Sequence, residues 1–259
     1  MPRYALVIEY DGHDFVGWQR QAQGLSVQAV MEAAASRLAH GAAVACTAAG
    51  RTDSGVHAEG QVVHLDLPGA LPAWVLARAL NFHMRPHPVV VLRAAVVADG
   101  WSARFSAIGR AYRFRILNRP ARPALSVYRV WHVDRGLDAA AMQRAAAMLV
   151  GRHDFTSFRA TACQAKSPIR TLDRLDVTRH GEIIDIVAEA RSFLHHQVRN
   201  MVGTLKLVGE GSWDVSRVAA ALAARARAAA GPTAPPDGLT LTGVRYDPDP
   251  FGSFRADNA

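Results

Sequence analysis

Between Arg3 and Tyr10 an apolar or aromatic residue recurs at every second position (Tyr4, Leu6, Ile8, Tyr10), the period-two pattern of a half-buried strand. Asp11-Gly12 ends the run. Beyond Ser26, a suitable N-cap, the residues Val27, Val30, Met31, Ala34 and Leu38 recur at helical spacing. Residues 43–49 read as a short buried strand, and 61–67 alternate Val63, Leu65, Leu67 against Val62, His64, Asp66. A second helix fits 72–82, and Val89-Val90-Val91-Leu92 begins a fourth strand. The predicted order is β-α-β-β-α-β, the ferredoxin-like (RRM-like) arrangement.

The second half repeats the theme less cleanly. Tyr112, Phe114 and Ile116 share one strand face, with Arg113 and Arg115 on the other. Helical spacing is predicted over 138–149, 194–209 and 214–229. Strands at 169–178 and 182–190 flank a turn at His180-Gly181, and a last strand follows the proline-rich loop from Leu239 to Tyr246. The fold class predicted is α+β, with two ferredoxin-like halves, residues 1–102 and 103–259, whose antiparallel sheets flank a central basic cleft. The tail from Asp247 is expected to be loosely ordered.

Composition narrows the partners. Half of the 259 residues are hydrophobic, enough for a sizeable core, and the net charge of +8 points to an anionic partner, nucleic acid first. All but two of the 30 basic residues are arginine, which contacts phosphate in bidentate fashion and stacks on bases. Cys46 and Cys163 are isolated, which suits a reduced, cytoplasmic compartment and gives no zinc spacing. No run approaches the ~20 apolar residues of a membrane span, and no glycine pattern suggests a nucleotide cofactor.

One polar loop stands out: Gly50-Arg51-Thr52-Asp53-Ser54-Gly55-Val56-His57. It sets one carboxylate between two glycines that can turn the backbone sharply, with Arg51 before it and His57 after it. A neighbouring arginine favours the ionised carboxylate, which can act as a nucleophile. Aspartate in such a context also caps turns through its own backbone. In the helix expected at 194–209, Arg199 lies on a flank beside the apolar face, with His195 and Lys206, where a partly buried guanidinium needs an anion such as Asp53 or a phosphate. The other reading is a stem that packs while the head reaches water. Tyr112 beside Arg113, and the loop holding Phe15, Trp18, Gln19, Arg20 and Gln21, offer stacking and hydrogen-bonding groups suited to RNA, although alternation alone makes Tyr112 a core residue and a strand-to-helix turn accounts for the loop's polarity.

From Tyr10 to Tyr246 the chain resembles the tRNA pseudouridine synthase A (TruA) family, most strongly over Gly50–Ala58 and Phe193–Gly203. The resemblance implies uridine isomerisation in the anticodon stem-loop, at tRNA nucleotides 38–40, by a homodimer that needs no metal and no organic cofactor. It implies Asp53 as the nucleophile, Arg51 holding the flipped nucleotide, Arg199 paired with Asp53, and Tyr112 against the target base. Gln19, Arg20, Gln21, His57 and Arg113 are the further candidates for substrate binding. Phe114 stands where the family often has a second tyrosine, and Met84-Arg85-Pro86 replaces a more usual Leu-Pro pattern. The alternative from another class is a non-catalytic RNA-binding protein or chaperone on the same basic scaffold.

Overall fold

In the computed structural model, which describes residues 1–252, the first alternating run forms strand β1, Arg3–Tyr10, with Tyr4, Leu6 and Ile8 fully buried. Helix α1, Val27–Leu38, starts at Ser26, whose hydroxyl accepts the Ala29 N–H at 3.2 Å. Strands β2 (Cys46–Ala48) and β3 (His57–Asp66), helix α2 (Ala73–His83) and strand β4 (Val89–Val97) follow. The strand order is β4-β1-β3, with β2 also on β3, and each of these pairs is antiparallel.

The rest of the chain supplies strands β5 (Ala107–Asn118), β6 (Trp131–Val133), β7 (Gly151–Asp154), β8 (Ile169–His180), β9 (Ile183–Ala190) and β10 (Leu239–Tyr246). With them come helices α3 (Ala139–Ala147), α4 (Gln197–Gly209) and α5 (Val215–Ala224). The protein is therefore mixed α+β, with ten strands and five α-helices among the described residues. It divides into two compact units, Met1–Gly109 with the described residues from Leu241 onward, and Arg110–Thr240.

In the first unit, Leu6, Ile8, Val63, Leu65, Met31, Leu76 and Leu80 are all buried, each contributing about 1.5–3 kcal/mol of transfer free energy. A further cluster joins Ala49, Val62, Ala103, Ala107 and Tyr246 with Val7, Trp101 and Phe251. The Tyr246 hydroxyl donates to Ala103 O at 2.7 Å, so this buried tyrosine is answered. In the second unit the strands run β5-β9-β8-β7, all antiparallel, with β6 parallel to β5. Tyr112, Phe114 and Ile116 are buried on β5, while Arg113 and Arg115 are partly exposed.

Three expectations need correcting. Helix α4 begins at Gln197 rather than 194: His196 has φ +61°, and the Gln197 side chain accepts the Leu194 N–H at 2.8 Å, making a turn instead of a helical one. His195 thus precedes the helix and is exposed, off the flank shared by Arg199 and Lys206. Helix α5 stops at Ala224 because Arg225 turns to φ +48°, and the following Ala226 N–H goes to the Ser157 hydroxyl. The chain beyond Asp247 is tied down as far as Gly252: Arg93 Nη2 donates to Gly252 O at 2.9 Å, and its guanidinium lies 5.3 Å from the Phe251 ring centre. The remainder of that tail, 253–259, lies outside the described residues.

Candidate active site

The Asp53 loop links β2 to β3, and the segment after β1 is threaded against it at van der Waals distance. A Cβ on Gly12 would sit 2.0 Å from Val56 O, and one on Gly17, at φ +102°, would sit 2.7 Å from Thr52 O. No side chain fits at either point, so these two glycines let one backbone pass directly over the other. A β-bulge between Ile8 and Tyr10 in the β1–β3 ladder brings Tyr10 opposite Ala58, the second residue of β3.

Hydrogen bonds then fix the loop from beneath. Tyr10 Oη and Thr52 Oγ1 are 2.8 Å apart, both residues being buried. The Trp18 N–H donates to Thr52 O, the Gly55 N–H and the Ser54 hydroxyl both donate to Phe15 O, and the Val56 N–H closes a turn onto Asp53 O. The Gln61 amide donates to Gly50 O at 2.8 Å, anchoring the loop's entry. Burial pushes the Tyr10 phenol up to about 12, with its Thr52 hydrogen bond pulling the other way. Asp53 itself remains partly exposed above this base.

His57 is buried under the loop, not displayed on it. Its Nδ1 lies 3.0 Å from the Gly12 N–H, which donates to it, and 3.0 Å from Asp11 Oδ1. An unprotonated Nδ1 accepts from Gly12, whereas a protonated one donates to Asp11, so the two contacts belong to different protonation forms. Either way the ring pins the end of β1 to the start of β3. Of the loop's glycines, Gly55 needs its positive φ of +79°, while Gly50 has ordinary φ and open space where a Cβ would stand.

The remaining first-unit candidates differ in how they are engaged. Arg51 and Gln19 are exposed. Arg20 is tied to Glu32 through Nη2 at 2.8 Å, and its backbone N–H goes to the Gln28 side chain, so it fastens the segment to α1. The Gln21 amide donates to Val16 O. In the second unit, the Tyr112 ring meets the Phe193 ring edge-on at 5.3 Å, just before α4. Arg199 sits in the first turn of α4, partly buried, with Nε donating to Ala234 O at 2.8 Å. Arg113 faces away from Tyr112 and is partly exposed.

Sequence reasoning did not single out Tyr10, Gly12, Gly17 or Gln61 as supports of this loop, nor the Thr52 hydroxyl as the partner of Tyr10. The available signal was a tyrosine at a strand end, whose hydroxyl must find a partner once buried.

The family model described as tRNA pseudouridine synthase matches residues 6–106 and 145–247. Those stretches hold the Asp53 loop, Gln19, Arg20, Gln21 and Arg199; Tyr112 and Arg113 fall between them. The chain is 68% identical over 252 residues to a tRNA pseudouridine synthase A of Acidiphilium cryptum, covering 97% of this chain and 99% of that one. It is 60% identical to the protein of that name in Paramagnetospirillum magneticum, over 95% of this chain and 96% of the relative. In Gluconobacter oxydans the figures are 55%, 96% and 91%. The chain belongs to the tRNA pseudouridine synthase A (TruA) family, isomerases that convert uridine to pseudouridine. No described helix is long and apolar enough to cross a membrane.

Proposed function

We propose that Asp53 is the nucleophile with which this enzyme isomerises uridines in the anticodon stem-loop of tRNA. The observation that carries this reading is the Asp53 loop itself: its backbone is fastened by buried partners while the carboxylate stays partly exposed. A reacting group gains from being held in one geometry before substrate arrives.

The chemistry is balanced within the substrate. The N1–C1′ bond breaks, uracil turns, and a C5–C1′ bond forms, so reactant and product are isomers. The Asp53 carboxylate forms a transient ester at C1′ or adds to C6; in either route the adduct is resolved and the aspartate regenerated. The proton on C5 must leave to a base, for which Asp53, the Tyr112 hydroxyl and water are the candidates. The nucleotide has to be extruded from the stem at a cost of a few kcal/mol, offset by phosphate contacts to arginines such as the exposed Arg51.

By resemblance Arg199 pairs with Asp53 and Tyr112 contacts the base. Replacing Arg199 by leucine should then reduce turnover more than tRNA affinity; equal losses would make it a phosphate contact instead. His57 we read as a positioning residue, given its burial. The strand order β4-β1-β3-β2 supports reading the first unit as ferredoxin-like, and β5-β9-β8 with α3 and α4 supports it for the second. The resemblance also implies a homodimer, for which sedimentation should give twice the chain mass; a monomer at micromolar protein removes it.

The test of the function is tritium release from tRNA labelled at uracil C5, followed by mapping of the altered nucleoside. Release with pseudouridine in the anticodon stem-loop supports the proposal. Binding of tRNA without release would make the protein a non-catalytic RNA binder, and release mapped to another arm would move the target.

A further inference from the structure

Away from the Asp53 loop, the first unit holds a cavity of about 160 Å³ between α1 and the end of α2. Its polar lining is entirely basic: Arg37 from α1, and His83, Arg85 and His87 from the end of α2 and the turn after it. The apolar floor is Leu25, Ala29, Val30 and Ala33. No acidic side chain lines it among the described residues. The structure shows Arg37 and Arg85 exposed, each without a hydrogen bond or ion pair from its guanidinium among the described residues. In the same unit Arg3 is spent on Asp66 and Arg20 on Glu32, whereas these two are left open to an outside anion.

A second observation concerns His83, one of the lining residues. His83 Nδ1 is buried and has no hydrogen-bond partner. A polar atom left in that state costs about 1–3 kcal/mol unless something answers it. Two guanidinium forks and two imidazoles around a small cavity are groups that hold a phosphate. Room is sufficient, since about 10–15 Å³ admits one water.

The neighbouring surface says what the phosphate belongs to. On the solvent side of α2, Trp74, Arg78 and Phe82 stand four residues apart, with Trp74 63% and Phe82 68% exposed. The Arg78 guanidinium lies 6.0 Å from the Trp74 ring centre, and the Phe82 ring is edge-on to His83 at 5.2 Å. Large exposed rings interleaved with arginine, running up to an anion pocket, fit a nucleic-acid strand better than a free ion.

We infer that α2 and the His83–His87 turn form a second RNA-contact surface, in which Arg37, Arg85 and His83 clamp one backbone phosphate of the tRNA and Trp74 and Phe82 stack on exposed bases or ribose. This rests on the tRNA reading above and adds a contact separate from the Asp53 loop.

The test compares full-length tRNA with wild type, Arg37→Ala/Arg85→Ala and Trp74→Ala/Phe82→Ala, measuring affinity over a range of salt alongside saturating turnover. Losing the phosphate clamp should weaken binding about tenfold and reduce the slope of log affinity against log salt by about 1. Losing the rings should weaken binding by a similar factor without changing that slope. In both variants KM rises and kcat holds. Because all four side chains are exposed, circular dichroism should match wild type, and Arg37→Lys/Arg85→Lys should recover part of the slope. Unchanged tRNA affinity and slope in both variants would overturn the proposal even if inorganic phosphate binds wild type and not the arginine variant. If wild type itself releases no tritium from tRNA, the functional reading fails instead, so the two failures are distinguishable.

Discussion

The Asp53 loop and the His83–His87 turn belong to the same unit and treat their polar groups in opposite ways. Around Asp53 backbone and side-chain groups have internal answers: Thr52 by Tyr10 and Trp18, Ser54 and Gly55 by Phe15, Gly50 by Gln61. Around His83 the side chains of Arg37 and Arg85 are left open, and a ring nitrogen is buried without a partner. A reacting carboxylate needs placement to within a fraction of an ångström, which internal bonds supply. A contact to a flexible phosphate chain needs available charge, which internal bonds would consume. One region trades adaptability for position, and the other does the reverse.

That contrast predicts where substitutions hurt. The largest effect should come from Gly12→Ala, whose methyl group would meet Val56 O at 2.0 Å with only backbone to move. We expect a loss of about 3 kcal/mol or more in urea unfolding and at least a hundredfold fall in kcat. Wild-type kcat in that variant would mean the crossing over Val56 is dispensable. Gly50→Ala is its counterpart in the same loop, with open space at the Cβ, and should lie within about 0.5 kcal/mol of wild type.

Tyr10→Phe should come next, costing about 1 kcal/mol by leaving Thr52 Oγ1 without its partner. Its pH dependence has a definite sign. The folded phenol titrates at about 12 because of burial, above the ordinary value of 10.0. Its contribution is therefore complete below pH 10 and is lost as pH rises toward 12. Wild type should lose on the order of 2–3 kcal/mol relative to Tyr10→Phe over that window, read from urea midpoints at each pH. A constant difference would mean the hydroxyl is not buried. The smallest effect on stability belongs to Arg37→Ala/Arg85→Ala, within about 0.5 kcal/mol, although its effect on tRNA binding is not small.

The part of this legible in the sequence was the local part. Alternation at Tyr4, Leu6, Ile8 and Tyr10 marked β1, and Ser26 marked the start of α1 because a cap is a contact with a residue three positions on. The run from Gly50 to Val56 announced a polar loop between two strands. The brace beneath it was not visible, because Tyr10 and Thr52 are 42 residues apart and Gly12 reads as an ordinary turn residue until its neighbour is known. Periodicity overran the start of α4 and the end of α5. Apolar spacing continues through Leu194 and past Ala224, while left-handed residues at His196 and Arg225 decide where the helices stop. The strands Trp131–Val133 and Gly151–Asp154 carry too few residues for any period to show.

The account turns on a lone carboxylate in a fixed place, and single-turnover tritium release by Asp53→Asn and Asp53→Glu, with tRNA affinity measured in parallel, tests it most directly. Both variants should bind tRNA within a few-fold of wild type. Asp53→Asn should release label at least about a thousandfold more slowly, and Asp53→Glu, charged but longer by one methylene, at least about a hundredfold more slowly. Wild-type release rates from the asparagine variant would contradict the assignment of the nucleophile, and wild-type rates from the glutamate variant would contradict the claim that the loop's geometry matters.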